Sequence, residues 1–193
     1  MKKFFGFVFG GAMIGASVGY WVGAEARIKV MAHNFNLAKR LATKWAETFN
    51  HVTAATVLTI CKIESDFNPT AENHNERAEP KGGAWGMMQI TLDTARDLIK
   101  KVPRIFGTVG VWDGSGKSLL DPDLNIMLGT FYLDKLAQEF GGDFDKVVAA
   151  YQQGPGTVRK VVAAGNFPDG LGPNGRTYLD RAQAVKTQID TMV

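Results

Sequence analysis

Residues 4–24 carry no charged side chain. As a helix, a run of about 21 residues spans ~32 Å, enough to cross the hydrocarbon core of a bilayer. The start of the chain is therefore expected to be either a membrane helix or an export signal that is removed. Lys2 and Lys3 precede the run, which predicts a cytoplasmic start and places the remainder outside the cytoplasmic membrane, on its periplasmic side. Ala24, Glu25 and Ala26 form a small-x-small site at which a signal could be cut. Glu25 at the middle position and the length of the run favour a retained anchor, so residues 1–26 are read as a signal-anchor or transmembrane segment. Gly11, Gly15, Gly19 and Gly23 recur every fourth residue. They would line one helix face, where a second helix, including that of another copy, could pack closely.

Behind this segment, Ile28, Met31, Phe35, Ala38, Ala42, Trp45 and Phe49 follow steps of three and four. That spacing predicts an amphipathic linker helix over residues 27–49, its stripe packed on its own domain or paired with another copy. The remainder, residues 50–193, is long enough for one compact domain and shows no repeat. Helix-start signals dominate it. Thr91 is placed to cap a helix carrying Leu92, Ala95, Leu98 and Ile99. Asp121 followed by Pro122 opens another, lined by Ile126, Gly129, Tyr132, Leu133 and Leu136, and Asp143 caps a short one. Further helices are expected over 157–164, ending at Gly165, and over about 177–190. Strand signals are confined to residues 84–89. The expected fold is mainly α with a small β element, and a loop at 68–83 lies beside a cleft.

Composition excludes several classes. Hydrophobic residues make up 45% and charged residues 21% of the chain, an ordinary balance that argues against disorder. A net charge of +3 reads as a mixed-sign surface, and with neither a basic stripe nor a phosphate-binding glycine loop, no nucleic-acid partner is expected. Cys61 is the only cysteine, so no intrachain disulfide can form, and its place in an apolar run suits a core residue. His33, His51 and His74 are scattered without metal-ligand spacing. Neither a metal nor a cofactor is expected.

Chemistry enters at Glu64, which ends the mostly apolar run 52–63. Val57, Ile60 and Cys61 stand seven, four and three residues before it, so its carboxyl shares a helix face with apolar side chains. Burial there disfavours the charged form, and a carboxyl raised towards neutrality can act as a general acid. By itself such a glutamate is more simply a surface residue near a helix end. Two downstream blocks change the balance: Gly86, Met87, Met88, Gln89, Ile90, Thr91, and Ala149, Ala150, Tyr151, Gln152, Gln153, Gly154, Pro155, Gly156.

With Glu64, Ser65, Asp66, Phe67, Asn68 and Pro69, these blocks resemble in order and spacing the SLT-type lytic transglycosylase and goose-type lysozyme-like family. Its usual forms are E-S-x-F-N-P, G-x-M-Q and A-Y-N-x-G-P, and Tyr178 stands where the family often has a tyrosine facing the cleft. The resemblance covers roughly residues 49–189. Gln152 departs from it, keeping the amide of the usual Asn but extending its reach by one methylene. The uncharged, Gly- and Ala-rich start is also similar to the releasable anchors of some phage endolysins.

The resemblance implies a lysozyme-like helical domain that cleaves the β-1,4 bond between N-acetylmuramic acid and N-acetylglucosamine in peptidoglycan glycan strands. Glu64 would protonate the glycosidic oxygen while the sugar's own N-acetyl group stabilises the cation developing at C1. The ionised Glu64 would then take the proton of the C6 hydroxyl, whose oxygen closes a 1,6-anhydro ring. Ser65 and Gln89 would hydrogen-bond the saccharide or its acetamido group, Met88 would shape the wall, Tyr151 would lie near Glu64 and orient it, and Gln152 and Tyr178 complete the expected substrate-binding set. Some hydrolytic relatives carry an additional carboxylate where this chain has Thr91, which leans the expectation slightly towards the lyase. A phage endolysin or virion-associated muramidase using water, and an inactive membrane-anchored glycan-binding or assembly protein, are the alternatives.

Overall fold

The structure, a computed structural model, describes residues 8–73, 83–101 and 112–193, with side chains from residue 23 onward. Its helices are α1 (Val8–Thr48), α2 (Ala54–Ser65), α3 (Leu92–Ile99), α4 (Pro122–Glu139), α5 (Phe144–Gln153), α6 (Pro155–Ala163) and α7 (Gly172–Ile189), with short 3-10 turns at Lys117–Leu120 and Asp169–Leu171. The strands β1 (Glu72–Asn73), β2 (Ala84–Trp85) and β3 (Ile90–Thr91) form an antiparallel sheet in sequence order, Glu72 opposite Trp85 and Ala84 opposite Thr91.

Local chemistry sets the helix starts. Thr91 Oγ1 accepts the amide of Thr94 at 3.2 Å, Asp121 Oδ1 that of Leu124 at 2.8 Å and Asp143 Oδ1 that of Lys146 at 3.2 Å. Each satisfies an amide that the first helical turn leaves without an internal partner. α7 starts at Gly172, ahead of the expected 177, because Pro173 needs no amide partner in the first turn and has the helical φ built in. β1 lies in what the sequence suggested was loop; two residues carry no period to read.

The chain divides into two units, Met1–Asn36 and Leu37–Val193. In the first, Ile28, Val30 and Met31 are exposed. Among the described residues no helix is long and apolar enough to cross a membrane. Of the uncharged run, residues 4–7 lie outside the described residues, as do the side chains up to residue 22 and with them the expected face of Gly11, Gly15 and Gly19. In the second unit the linker stripe is core: Ala38, Ala42, Trp45 and Phe49 are buried. Trp45 Nε1 donates to Asp123 Oδ1 at 2.6 Å, and the Phe49 ring lies 5.4 Å from that of Phe131. The last turns of α1 are thus fastened to α4.

α4 is the centre of this unit, with every residue from Leu124 to Phe131 buried. A polar group in so apolar a helix is costly unless it is paired. Asn125 meets that condition three times over: Nδ2 donates to Trp85 O at 2.8 Å and Leu119 O at 2.9 Å, and Oδ1 accepts the Met88 amide at 2.8 Å. One amide therefore fixes the turn between β2 and β3 to the core helix. Two glycines make the approach possible. A Cβ on Gly86 (φ +75) would lie 2.5 Å from Asn125 Nδ2, and one on Gly129 would lie 2.2 Å from Met88 Sδ.

Candidate active site

α2 delivers Glu64 in its last turn. Val57, Ile60 and Cys61 are fully buried, as the helical spacing predicts, and the chain then reverses sharply. Asp66 and Phe67 both take left-handed φ values, 54° and 61°, while their amides donate to Lys62 O and Cys61 O. This closes the helix end with a residue pair that normally avoids that conformation. Gln89, across the cleft, is the third non-glycine residue with positive φ among the described residues, at 49°. Such strain persists only where surrounding contacts over-determine the backbone. Gln89 Nε2 supplies some of them, donating to Gly86 O at 3.0 Å and Ala71 O at 3.2 Å.

Glu64, Gln89, Thr91, Tyr132, Tyr151 and Gln152 line a cleft of about 230 Å³. Glu64 is partly buried, and Tyr178 on α7 donates its hydroxyl to Oε1 at 2.5 Å. One turn further on, Arg181 donates to Ile63 O at 3.3 Å. Burial raises the carboxyl above its ordinary value, and the Tyr178 hydroxyl and the Arg181 charge pull it part of the way back. Burial and the neighbouring carboxylate push both the Tyr178 and Tyr151 phenols upward, so each keeps its proton. Burial also raises the Cys61 thiol, which leaves that cysteine a core residue and not a nucleophile.

The remaining sequence-predicted residues fall in different places. Tyr151 lines the cleft near Glu64, but its hydroxyl donates to Met88 O at 2.8 Å; the phenol on the carboxylate is that of Tyr178. Ser65 Oγ donates to Met87 O at 2.8 Å and also lies 3.2 Å from Cys61 O, tying the end of α2 to the β2–β3 turn. Met88 is fully buried. Gln152 is exposed at the cleft with no partner among the described residues, whereas Gln153 donates to Leu171 O at 2.9 Å and braces the start of α7.

Sequence reasoning missed Asn125, Thr94, Tyr132 and Arg181. A lone amide between Leu124 and Ile126 was the available signal for the first. For Tyr132, read simply as part of an apolar stripe, the signal was a hydroxyl that needs the margin of a core. Among the described residues no group of histidine, cysteine and carboxylate side chains could hold a metal ion.

A family model described as the transglycosylase SLT domain matches residues 40–169. The chain belongs to this family. The soluble lytic murein transglycosylase of Escherichia coli strain K12 is 37% identical over 102 residues, covering 53% of this chain and 14% of that protein. Membrane-bound lytic murein transglycosylase C of Sodalis glossinidius is 33% identical over 114 residues, covering 54% of this chain and 28% of that protein. The crystal structure of the 70-kDa soluble lytic transglycosylase from Escherichia coli superposes on 79% of this chain and 24% of its own with a TM-score of 0.65 at 28% identity. A complex of the 70-kDa soluble lytic transglycosylase with bulgecin A covers the same shares with a TM-score of 0.66 at 28% identity. The mainly helical, lysozyme-like architecture with a small sheet is thus that of an SLT domain. This chain spans a minor part of the length of these relatives. Within the SLT domain, Glu64 is the single carboxylate lining the cleft among the described residues.

Proposed function

We propose that the chain is a peptidoglycan lytic transglycosylase in which Glu64 acts first as acid and then as base. The observation that carries this is the partly buried Glu64, raised in pKa, at a cleft with no second carboxylate among its described lining residues. The protonated carboxyl gives its proton to the glycosidic oxygen as the bond from that oxygen to C1 breaks, the electron pair leaving with the oxygen. The acetamido oxygen of the same sugar shares the positive charge at C1. The Glu64 carboxylate then accepts the C6 hydroxyl proton, and the C6 oxygen bonds C1 to give the 1,6-anhydro end. A hydrolase that positions water with a second carboxylate has less support here, since Thr91 stands at the cleft where such a group would be placed.

Tyr178 orients the carboxylate and stabilises its ionised form for the second half-step. Gln152 contributes its amide and Gln89 its amide oxygen to the saccharide, and Gln152, exposed and without a partner among the described residues, is free to reach it. The uncharged run behind Lys2 and Lys3 tethers the domain to the outer face of the cytoplasmic membrane. The similarity to a membrane-bound lytic murein transglycosylase is in keeping with such a location.

Digestion of purified murein sacculi followed by mass spectrometry tests the reaction. Anhydro-muramyl ends are expected, and Glu64→Gln should abolish their release. Reducing ends would assign the chain to the hydrolases instead. Binding of sacculi with no product from either form would leave a glycan-binding protein.

A further inference from the structure

Three tyrosines line the cleft or bond its carboxyl, and two have committed their hydroxyls. Tyr178 donates to Glu64 and Tyr151 to the Met88 carbonyl. The third, Tyr132 on α4, lines the cleft with its ring 5.4 Å from that of Tyr151, tilted by 45°. Its hydroxyl has no hydrogen-bond partner among the described residues, and it is not one of the buried polar atoms left unsatisfied. A phenol in that position is held by its ring and has its polar end available to a ligand. Burial and the Glu139 carboxylate push the phenol above its ordinary range, so it keeps its proton and can donate at neutral pH.

Its surroundings indicate which ligand chemistry fits. Thr91 Oγ1 donates to Thr94 Oγ1 at 2.9 Å and accepts the Thr94 amide, so the Thr94 hydroxyl proton is left for another acceptor. Thr94 lines the same cleft, and apart from Glu64 the described lining residues are uncharged. Neutral hydroxyl donors and acceptors beside an aromatic pair match the hydroxyl and acetamido groups of an N-acetylated sugar; an anionic ligand would find no counter-charge among these lining residues.

We propose that Tyr132 is a glycan-binding residue whose hydroxyl bonds the N-acetylated saccharide in the cleft, with Thr94 donating beside it. This inference rests on the reading of the cleft as a glycan site. It makes an unusual demand of a conservative change, because Tyr132→Phe removes a hydroxyl that bonds nothing else among the described residues. The melting temperature should stay within error, while the Kd for chitopentaose, measured by NMR titration, should rise about three- to tenfold, the equivalent of one hydrogen bond. Thr94→Val should weaken binding in the same direction. Chitopentaose affinity within twofold of the unaltered protein for Tyr132→Phe overturns the inference and leaves the transglycosylase reading standing. If the unaltered protein neither binds chitopentaose nor cleaves sacculi, both fall. Glu64→Gln serves as the control, since it should lose turnover and keep binding.

Discussion

The Tyr178 hydroxyl donates to Glu64 Oε1 across 114 positions of sequence, the single side-chain hydrogen bond on that carboxyl among the described residues. A donor to a carboxylate favours the ionised form, so the bond opposes the effect of burial. Tyr178→Phe should move the carboxyl further upward. On sacculi, the limb of the pH–rate profile that reports loss of the Glu64 proton should shift to higher pH, and the maximal rate should fall about tenfold or more as orientation is lost. An unshifted limb would remove Tyr178 from any direct role at Glu64.

Stability should respond to the same carboxyl. Its folded-state value lies above the ordinary 4.5, so between 4.5 and the raised value the native state holds a proton that the unfolded chain has released. Native stability therefore falls as pH rises through that window and remains lower above it. Glu64→Gln removes the titration. Melting curves at neutral pH should show this variant more stable than the unaltered protein, with the difference vanishing below the ordinary carboxyl range.

Asn125→Leu keeps a side chain of similar size in α4 but leaves the Met88 amide and the carbonyls of Trp85 and Leu119 without their partner. The unsatisfied groups should cost about 3 kcal/mol or more. In a unit of this size that corresponds to roughly 6–12 °C in melting temperature. Activity should fall even at temperatures where the variant remains folded, because the β2–β3 turn carrying Gln89 loses its anchor. Denaturant titration together with an activity assay at low temperature reads both effects.

Thr130 offers the opposite case. Its hydroxyl is buried and has no partner among the described residues, and a hydroxyl taken out of water without a replacement bond is a net cost. Thr130→Val substitutes a methyl of similar size. The variant should gain about 1 kcal/mol, or ~2–4 °C by calorimetry; a loss of stability would show that the hydroxyl is satisfied in solution.

Short-range chemistry was legible in the sequence. The caps at Thr91, Asp121 and Asp143 depend on partners three residues away, and the apolar face behind Glu64 depends on one helix. The β2–β3 region announced itself through its glycines and aromatic residue. What could not be read was set by distance in the chain. Asn125 reaches back 37 and 40 positions to Met88 and Trp85, and no local pattern distinguishes its amide from a surface one. The boundary near residue 50 likewise separated Trp45 and Phe49 from the domain, although their stripe is continuous with residues exposed further up the same helix. Periodicity shows that a face is apolar; it does not show where along the helix the cover begins.

The convergence of three backbone groups on the Asn125 side chain bears on how substitution maps of this domain will look. Loss-of-function screens will mark position 125 as intolerant as position 64, although its amide is sealed inside α4 and sees no sugar. Counting viable variants alone would promote a buried brace to the rank of a reagent. Only parallel records of abundance and turnover will keep architecture and chemistry apart.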